Sequence, residues 1–316
     1  MMTNRRLAFV LVLLVGCSQA GSDVGEQQLA ATSTYTQTKH PIVLAHGMGG
    51  FDELFGVYDY FFGIASDLRS GGARVYLTNV SSFASTELRG EQLLDQLEYI
   101  AAVGGTGKVN VIGHSHGGLD ARYVMATRPD LLASVTTVAT PHKGAEIADY
   151  LRAHVNRDGV IEGIGGALAD VLGFTIGLLS GTTNPQDSVA GLEALTSTST
   201  AAFNARYPAG VPTTSCGGGL STWNGIRLYS WSGTSPLTNV LDVSDAPLGI
   251  TSLFSSTASD GLVQRCSSHF GSVLRDDYWM NHMDEVNQIL GLVHIFATNP
   301  KTVFRAHANR LKNAGL

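Results

Sequence analysis

The stretch VNVIGHSHGG, residues 109–118, sets a serine between two histidines and follows it with two glycines, directly after an apolar run. The pattern G-x-S-x-G is short, and its context carries the information. A strand-like run precedes it, and GLDARYVMATR (residues 118–128), a helical pattern stopped by Pro129, follows. Strand, sharp corner and helix lift a serine hydroxyl clear of the backbone, and flanking glycines let strand and helix approach without a Cβ clash. The helix start adds unpaired N–H groups and a favourable dipole. Ser115 therefore reads as a nucleophile, and a chain that carries such a corner is committed to strand–helix alternation.

The rest of the sequence keeps to that alternation. Short β-branched runs at 41–45, 73–77, 108–112, 132–139 and 227–231 read as buried strands. Helical spacing at 58–69, 89–100, 118–128 and 284–293 reads as helices between and after them. The implied class is α/β, a mostly parallel sheet with helices on both faces. With 44 % hydrophobic residues among 316, a sizeable core is available, and no linker divides residues 39–316. Residues 158–181 are apolar and glycine-rich, poor as an ordinary helix, and read as part of a lid or cap spanning about residues 150–185. The net charge of -6, with no Lys/Arg block, excludes a nucleic-acid surface.

The first 17 residues read as an export signal. Arg5 and Arg6 precede an apolar run over 7–15 that is too short to remain as a membrane span. LVGC at 14–17 has the form of a lipobox with Cys17 as the lipidated residue; ordinary cleavage after Ala20 is the other reading. Residues 18–38, rich in Ser, Thr, Gln and Gly, form a tether. Export leaves Cys216 and Cys266 in an oxidising compartment, where a single disulfide is the simplest outcome. It would close a loop of roughly 50 residues, worth about 4 kcal/mol on the chain-entropy account. Two buried free thiols are the alternative, and no CxxC spacing suggests a metal.

A serine nucleophile needs a base and an acid, in the chain order Ser, acid, His. His114 and His116 flank the corner and point away from the hydroxyl's working side. His269, His282 and His294 compete for the base, and position favours His282, on a loop near the C-terminus. Asp260 is the leading acid, with Asp242, Asp245, Asp276 and Asp277 still open. Oxyanion donors would be the backbone N–H of His116 and that of Met48, in the glycine-rich loop HGMGG at 46–50. His46 reads as support for that loop.

Across residues 39–316 the chain resembles the secreted bacterial triacylglycerol lipases of the Pseudomonas and Burkholderia type. The carrying stretches are KHPIVLAHGMGG (39–50), RGEQLL (89–94), VNVIGHSHGG (109–118) and VTTVATPHKG (135–144). YSWSG (229–233), SDGLVQRC (259–266), NHMDEVNQ (281–288) and AHANRLKNAG (306–315) follow in order. The resemblance implies an α/β-hydrolase fold with a helical lid and a Ser115, Asp260, His282 triad. It implies Met48 and His116 as oxyanion donors and a Cys216–Cys266 disulfide. It also implies one structural Ca2+, held by the carboxylates of Asp242 and Asp284 and the carbonyls of Gln288 and Leu292. The implied activity is hydrolysis of long-chain triacylglycerols at a lipid interface by a monomer that needs a dedicated chaperone, a foldase. The family is usually secreted; the lipobox cysteine departs from its export peptide, so the expected location is either secreted or, where Cys17 is lipidated, anchored at the outer membrane. A soluble short-chain carboxylesterase is the runner-up, and a non-catalytic lipid-binding relative is the third reading. The long apolar lid segment favours the lipase.

Overall fold

The computed structural model describes residues 33–50, 53–54, 58–154 and 187–316. Cys17, the export stretch and residues 155–186, which hold most of the expected lid, lie outside them. The chain begins with β1 (Ile42–Ala45), the short pair β2 (Glu53–Leu54) and β3 (Tyr58–Asp59), α1 (Ile64–Ser70), β4 (Val75–Thr78) and α2 (Thr86–Val103). Next come β5 (Val109–His114), α3 (His116–Thr127), β6 (Leu132–Val138), α4 (Glu146–His154), α5 (Ser188–Ala194) and α6 (Ser197–Arg206). The last third holds β7 (Thr222–Trp223), β8 (Ile226–Gly233), α7 (Asp245–Ser252), β9 (Ser272–Tyr278) and α8 (Pro300–Asn313).

The main sheet is seven-stranded in the order β4-β1-β5-β6-β8-β7, with β9 also pairing with β8. Every pairing in it is parallel except that of β7 with β8. The central strands β1, β5 and β6 are buried along their whole length, which is why they read as continuous apolar runs rather than as alternation. Both faces are covered. Ile42, Leu44, Ile112, Val138 and Trp231 pack against Ile64, Leu68 and Phe304 of α1 and α8. Val43, Val109, Val111, Val135 and Leu228 pack against Leu93 and Leu97 of α2 and Val124 and Met125 of α3. Consecutive residues of β1 thus serve opposite cores, as the pleat requires. The α/β-hydrolase architecture expected from the sequence is the one observed.

Element boundaries moved where caps and left-handed residues decide them. Helix α2 starts at Thr86, because the Ser85 hydroxyl accepts the N–H of Leu88. The helix expected over 58–69 forms only from Ile64, after Gly63 at φ 69°. The helix expected over 284–293 does not form. A single 3-10 turn at Asp284–Val286 ends at Asn287 (φ 59°), and Leu290 and Gly291 are also left-handed. At the other end, Thr36 and Thr38 of the expected tether are buried, and Thr36 bonds to Gly71 and Leu68, so the folded unit reaches back past residue 39.

Several histidines are sealed inside this frame. His307 of α8 is 1 % exposed, between Thr136 of β6 and Arg310. Burial, aided by Arg310, pushes its imidazole down to about 3. The unfolded chain takes up that proton near 6.5, so the stability contributed by neutral His307 is complete above 6.5 and lost as pH falls toward 3. At pH 5 the loss is about 2 kcal/mol. Total stability does not isolate this, because burial pushes Asp120 up to about 6 and Asp284 up to about 7, and both stabilise as pH falls. A difference does. The stability advantage of wild type over His307→Gln, from urea midpoints, is expected to shrink by about 2 kcal/mol between pH 7.5 and 5. A constant difference would show that His307 titrates alike in the folded and unfolded chain.

Candidate active site

Sheet register builds the site. Ala45, at the end of β1, lies beside Gly113 near the end of β5. The loop leaving β1 and the corner leaving β5 therefore emerge side by side at the carboxyl edge of the sheet. β4 lies on one side of β1 and β5 on the other, so the chain switches direction here, where open α/β sheets hold their ligands.

Ser115 occupies the corner with φ 54° and ψ -127°, a backbone conformation that L-residues seldom adopt. Its N–H is held by Val138 O at 2.8 Å. The tightness depends on Gly113 and Gly117. A Cβ on Gly113 would stand 2.3 Å from Gly117 O, and one on Gly117 would stand 2.5 Å from Ala45 O. Strand, corner and helix can close only without those carbons.

His282 and Asp260 meet as the sequence order required. His282 Nδ1 lies 2.8 Å from Asp260 Oδ2, and the His282 N–H donates to Asp260 O at 3.0 Å. Asp260 is fully buried, and its other oxygen, Oδ1, accepts the N–H groups of Leu262 and Val263 at 2.9 and 2.8 Å. The His282 ring lies against that of His114, 4.6 Å between centroids, which brings it to the residue next to Ser115. The acid–base half of the constellation is closed by a hydrogen bond. The ring contact sets the His282–Asp260 pair beside the corner that carries Ser115.

The two expected oxyanion donors are available. Neither Met48 N–H nor His116 N–H finds an acceptor among the described residues. The flanking histidines are occupied as neutral supports. Burial, and then His282, hold His114 well below its usual range, and its Nδ1 accepts from the Tyr60 hydroxyl at 2.6 Å. That hydroxyl in turn accepts Gly47 N–H. Burial and Arg89 likewise keep His116 uncharged, with Nε2 against Thr86 Oγ1 at 2.8 Å. His46, pushed down to about 3 by burial and then by Arg89, donates from Nδ1 to Gly47 O and accepts Val80 N–H at Nε2. It supports the loop, as expected.

The other candidates sit elsewhere. His269 binds Gly217 O and Asp276 Oδ2, and His294 stacks on Trp279 at 3.5 Å. Asp277 pairs with Arg275. Cys216 and Cys266 form the expected disulfide.

The calcium expectation is corrected. Among the described residues no group of three or more His, Cys, Asp or Glu side chains is placed to hold a metal ion. The acids concerned anchor loops. Asp242 accepts the N–H and hydroxyl of Ser244, Asp245 caps Thr238 and Asn239, and Asp284 accepts Asn281 N–H. Gln288 and Leu292 lie in the left-handed turns after Asp284, where the Leu292 N–H is bonded to Ile289 O.

Two residues that shape the site were not singled out from the sequence. Arg89, fully buried on α2, pairs with Asp120 at 2.7 Å and donates to the carbonyls of His46 and Ser81. It ties the oxyanion loop to the nucleophile helix. It continues the Leu93, Leu97, Ile100 stripe one turn earlier, a charged residue on an apolar face. Glu285 is 1 % exposed; its Oε1 accepts Gly233 N–H at 2.7 Å, while Oε2 has no hydrogen-bond partner among the described residues. Burial, and then the adjacent Asp260 carboxylate, raise it well above the carboxylate range.

Comparison with known proteins bears on the family and the fold. The alpha/beta hydrolase fold family matches residues 40–269. A triacylglycerol lipase of Vibrio cholerae is 52 % identical over 283 residues, covering 89 % of this chain and 90 % of that protein. A triacylglycerol lipase of Burkholderia plantarii is 39 % identical, covering 99 % and 97 %. Among solved structures, the mature Bacillus licheniformis lipase BlEst2 superposes with a TM-score of 0.61 at 17 % identity, covering 87 % of this chain and 93 % of its own.

Proposed function

The chain belongs to the α/β-hydrolase family, with the bacterial triacylglycerol lipases of Burkholderia and Pseudomonas among its relatives, and we propose that it is itself a triacylglycerol lipase working through an acyl-enzyme on Ser115. As an esterase or lipase of the serine-hydrolase fold it acts on ester or lipid substrates. One observation supports the mechanism above all: a strained serine corner, whose neighbour His114 packs against a histidine already oriented by a buried aspartate.

In this reading Ser115 Oγ attacks the ester carbonyl and passes its proton to His282 Nε2. Asp260 holds the Nδ1–H tautomer and stabilises the imidazolium. The oxyanion settles between the N–H groups of Met48 and His116, which are fixed before substrate arrives and need no reorganisation. His282 then protonates the leaving alkoxide, and water, activated by the same base, releases the fatty acid and restores Ser115 Oγ–H. Triacylglycerols as the substrate are supported by the two relatives named as triacylglycerol lipases. An exported location and assistance by a foldase complete the proposal.

The test is a hydrolysis profile from soluble butyrate esters to emulsified triolein. Triolein hydrolysis, rising sharply once substrate passes from monomer to aggregate, is the expected outcome. Turnover confined to soluble esters would make the protein a short-chain esterase.

A further inference from the structure

Two loops next to His282 expose their largest apolar side chains to water. In the first, Val240, Leu241 and Val243 are 99, 71 and 60 % exposed; in the second, Leu290, Ile295 and Phe296 are 63, 81 and 80 % exposed. Scattered apolar residues are ordinary on a surface; six on two adjoining loops are not. The loops are joined, since Asn239 Nδ2 donates to Val293 O at 3.2 Å.

Their exposure is built in. Asp245 accepts the N–H groups of Thr238 and Asn239, each at 2.7 Å, and Asn281, the residue before His282, donates to Asp245 at 2.9 Å. The second loop is steadied by the His294–Trp279 stack. Polar roots are thus fastened to the base's own segment, and apolar tips are held outward. The charge pattern identifies the occupant. Residues 236–243 contain one charged side chain, Asp242, which is 4 % exposed; residues 290–296 contain no Asp, Glu, Lys or Arg, and their one titratable ring, His294, is stacked on Trp279. A protein partner is met by an apolar centre within a polar rim. A patch lacking ionic groups across both loops, continuous with the segment that carries His282, suits a neutral oil surface.

We propose that the 236–243 and 290–296 loops form a fixed docking surface for a neutral lipid interface, which seats the enzyme with its site facing the oil. This rests on the lipase reading above. Each side chain taken from water strengthens adsorption by roughly tenfold or more.

The test separates docking from turnover by using the Ser115→Ala protein for adsorption. Its partition onto a triolein emulsion is measured by flotation, alongside Val240→Ser/Leu241→Ser and Ile295→Ser/Phe296→Ser in the same background. Each pair is expected to lower the partition at least tenfold. With Ser115 restored, the same pairs are expected to hydrolyse a soluble butyrate ester within about twofold of wild type. Partition within twofold of the parent for both pairs would overturn the proposal. So would a shift in self-association, read by light scattering without lipid, which would assign the patch to a second copy. Adsorption by the parent without triolein hydrolysis by wild type would instead overturn the lipase reading and leave docking standing. Two pairs on separate loops guard against one of them failing to fold, which loss of the soluble-ester activity would reveal.

Discussion

Replacing Ser115 by alanine is expected to lower kcat/KM on a soluble butyrate ester by roughly five to six orders of magnitude, with the fold intact. The size follows from chemistry. In the proposed mechanism the attacking hydroxyl is that of Ser115, so alanine closes the acyl-enzyme route. What remains is water acting in a site that still binds the ester and its oxyanion, which leaves some acceleration over solution. The fold survives because the strained backbone at φ 54° already carries a Cβ, and alanine keeps it. Unlike Gly113 or Gly117, this position needs no empty space. Kinetics paired with a thermal melt decide it. A residual rate within a hundredfold of wild type, with the melt unchanged, would place the nucleophile elsewhere.

Ser115 was legible because its requirements are local: an apolar strand, a corner with glycines, a helix. Asp260 and His282 were legible as an order along the chain, and position favoured each over its rivals. The structure adds what position cannot give, a ring contact with His114 and a carboxylate whose second oxygen is filled by two N–H groups. Other features were hidden because they depend on burial supplied by distant segments. Glu285 lies one helical turn from His282 and reads as a surface acid. Only its placement beneath β8, against Asp260, raises its carboxyl above the ordinary range. Arg89 reads as a soluble residue of α2 until the loops after β1 and β4 close over it. The 284–293 segment misled for the opposite reason. Its apolar spacing is helical, and left-handed residues at Asn287 and Leu290 turn it into the loop whose tips face outward. Calcium was inferred from matched residues alone, and the acids concerned are instead engaged with loop N–H groups and hydroxyls.

Asp260→Asn is expected to be nearly as damaging, at about 10⁴-fold in kcat/KM at neutral pH, although it exchanges a single atom. Geometry dictates the effect. Oδ1 of Asp260 accepts two N–H groups, so the amide oxygen of asparagine must take that place. Its NH2 group is then turned toward His282 Nδ1, where the carboxylate had accepted a proton. A donor there forces Nδ1 to accept and moves the imidazole proton to Nε2, the atom that must receive the serine's proton. The base is present, in place and in the wrong tautomer. The change should leave the thermal midpoint within a few degrees, because the hydrogen-bond count is kept and Glu285 loses a neighbouring charge that had opposed its ionisation. The measurement is kcat/KM on the soluble ester for Asp260→Asn and for Asp260→Asn/Glu285→Gln. A drop near 10⁴ in the single variant, unchanged in the double, assigns the orienting carboxylate to Asp260 alone. A drop below tenfold that deepens in the double variant would transfer that role to Glu285, whose buried Oε2 lies beside the same histidine's acid and has no hydrogen-bond partner among the described residues.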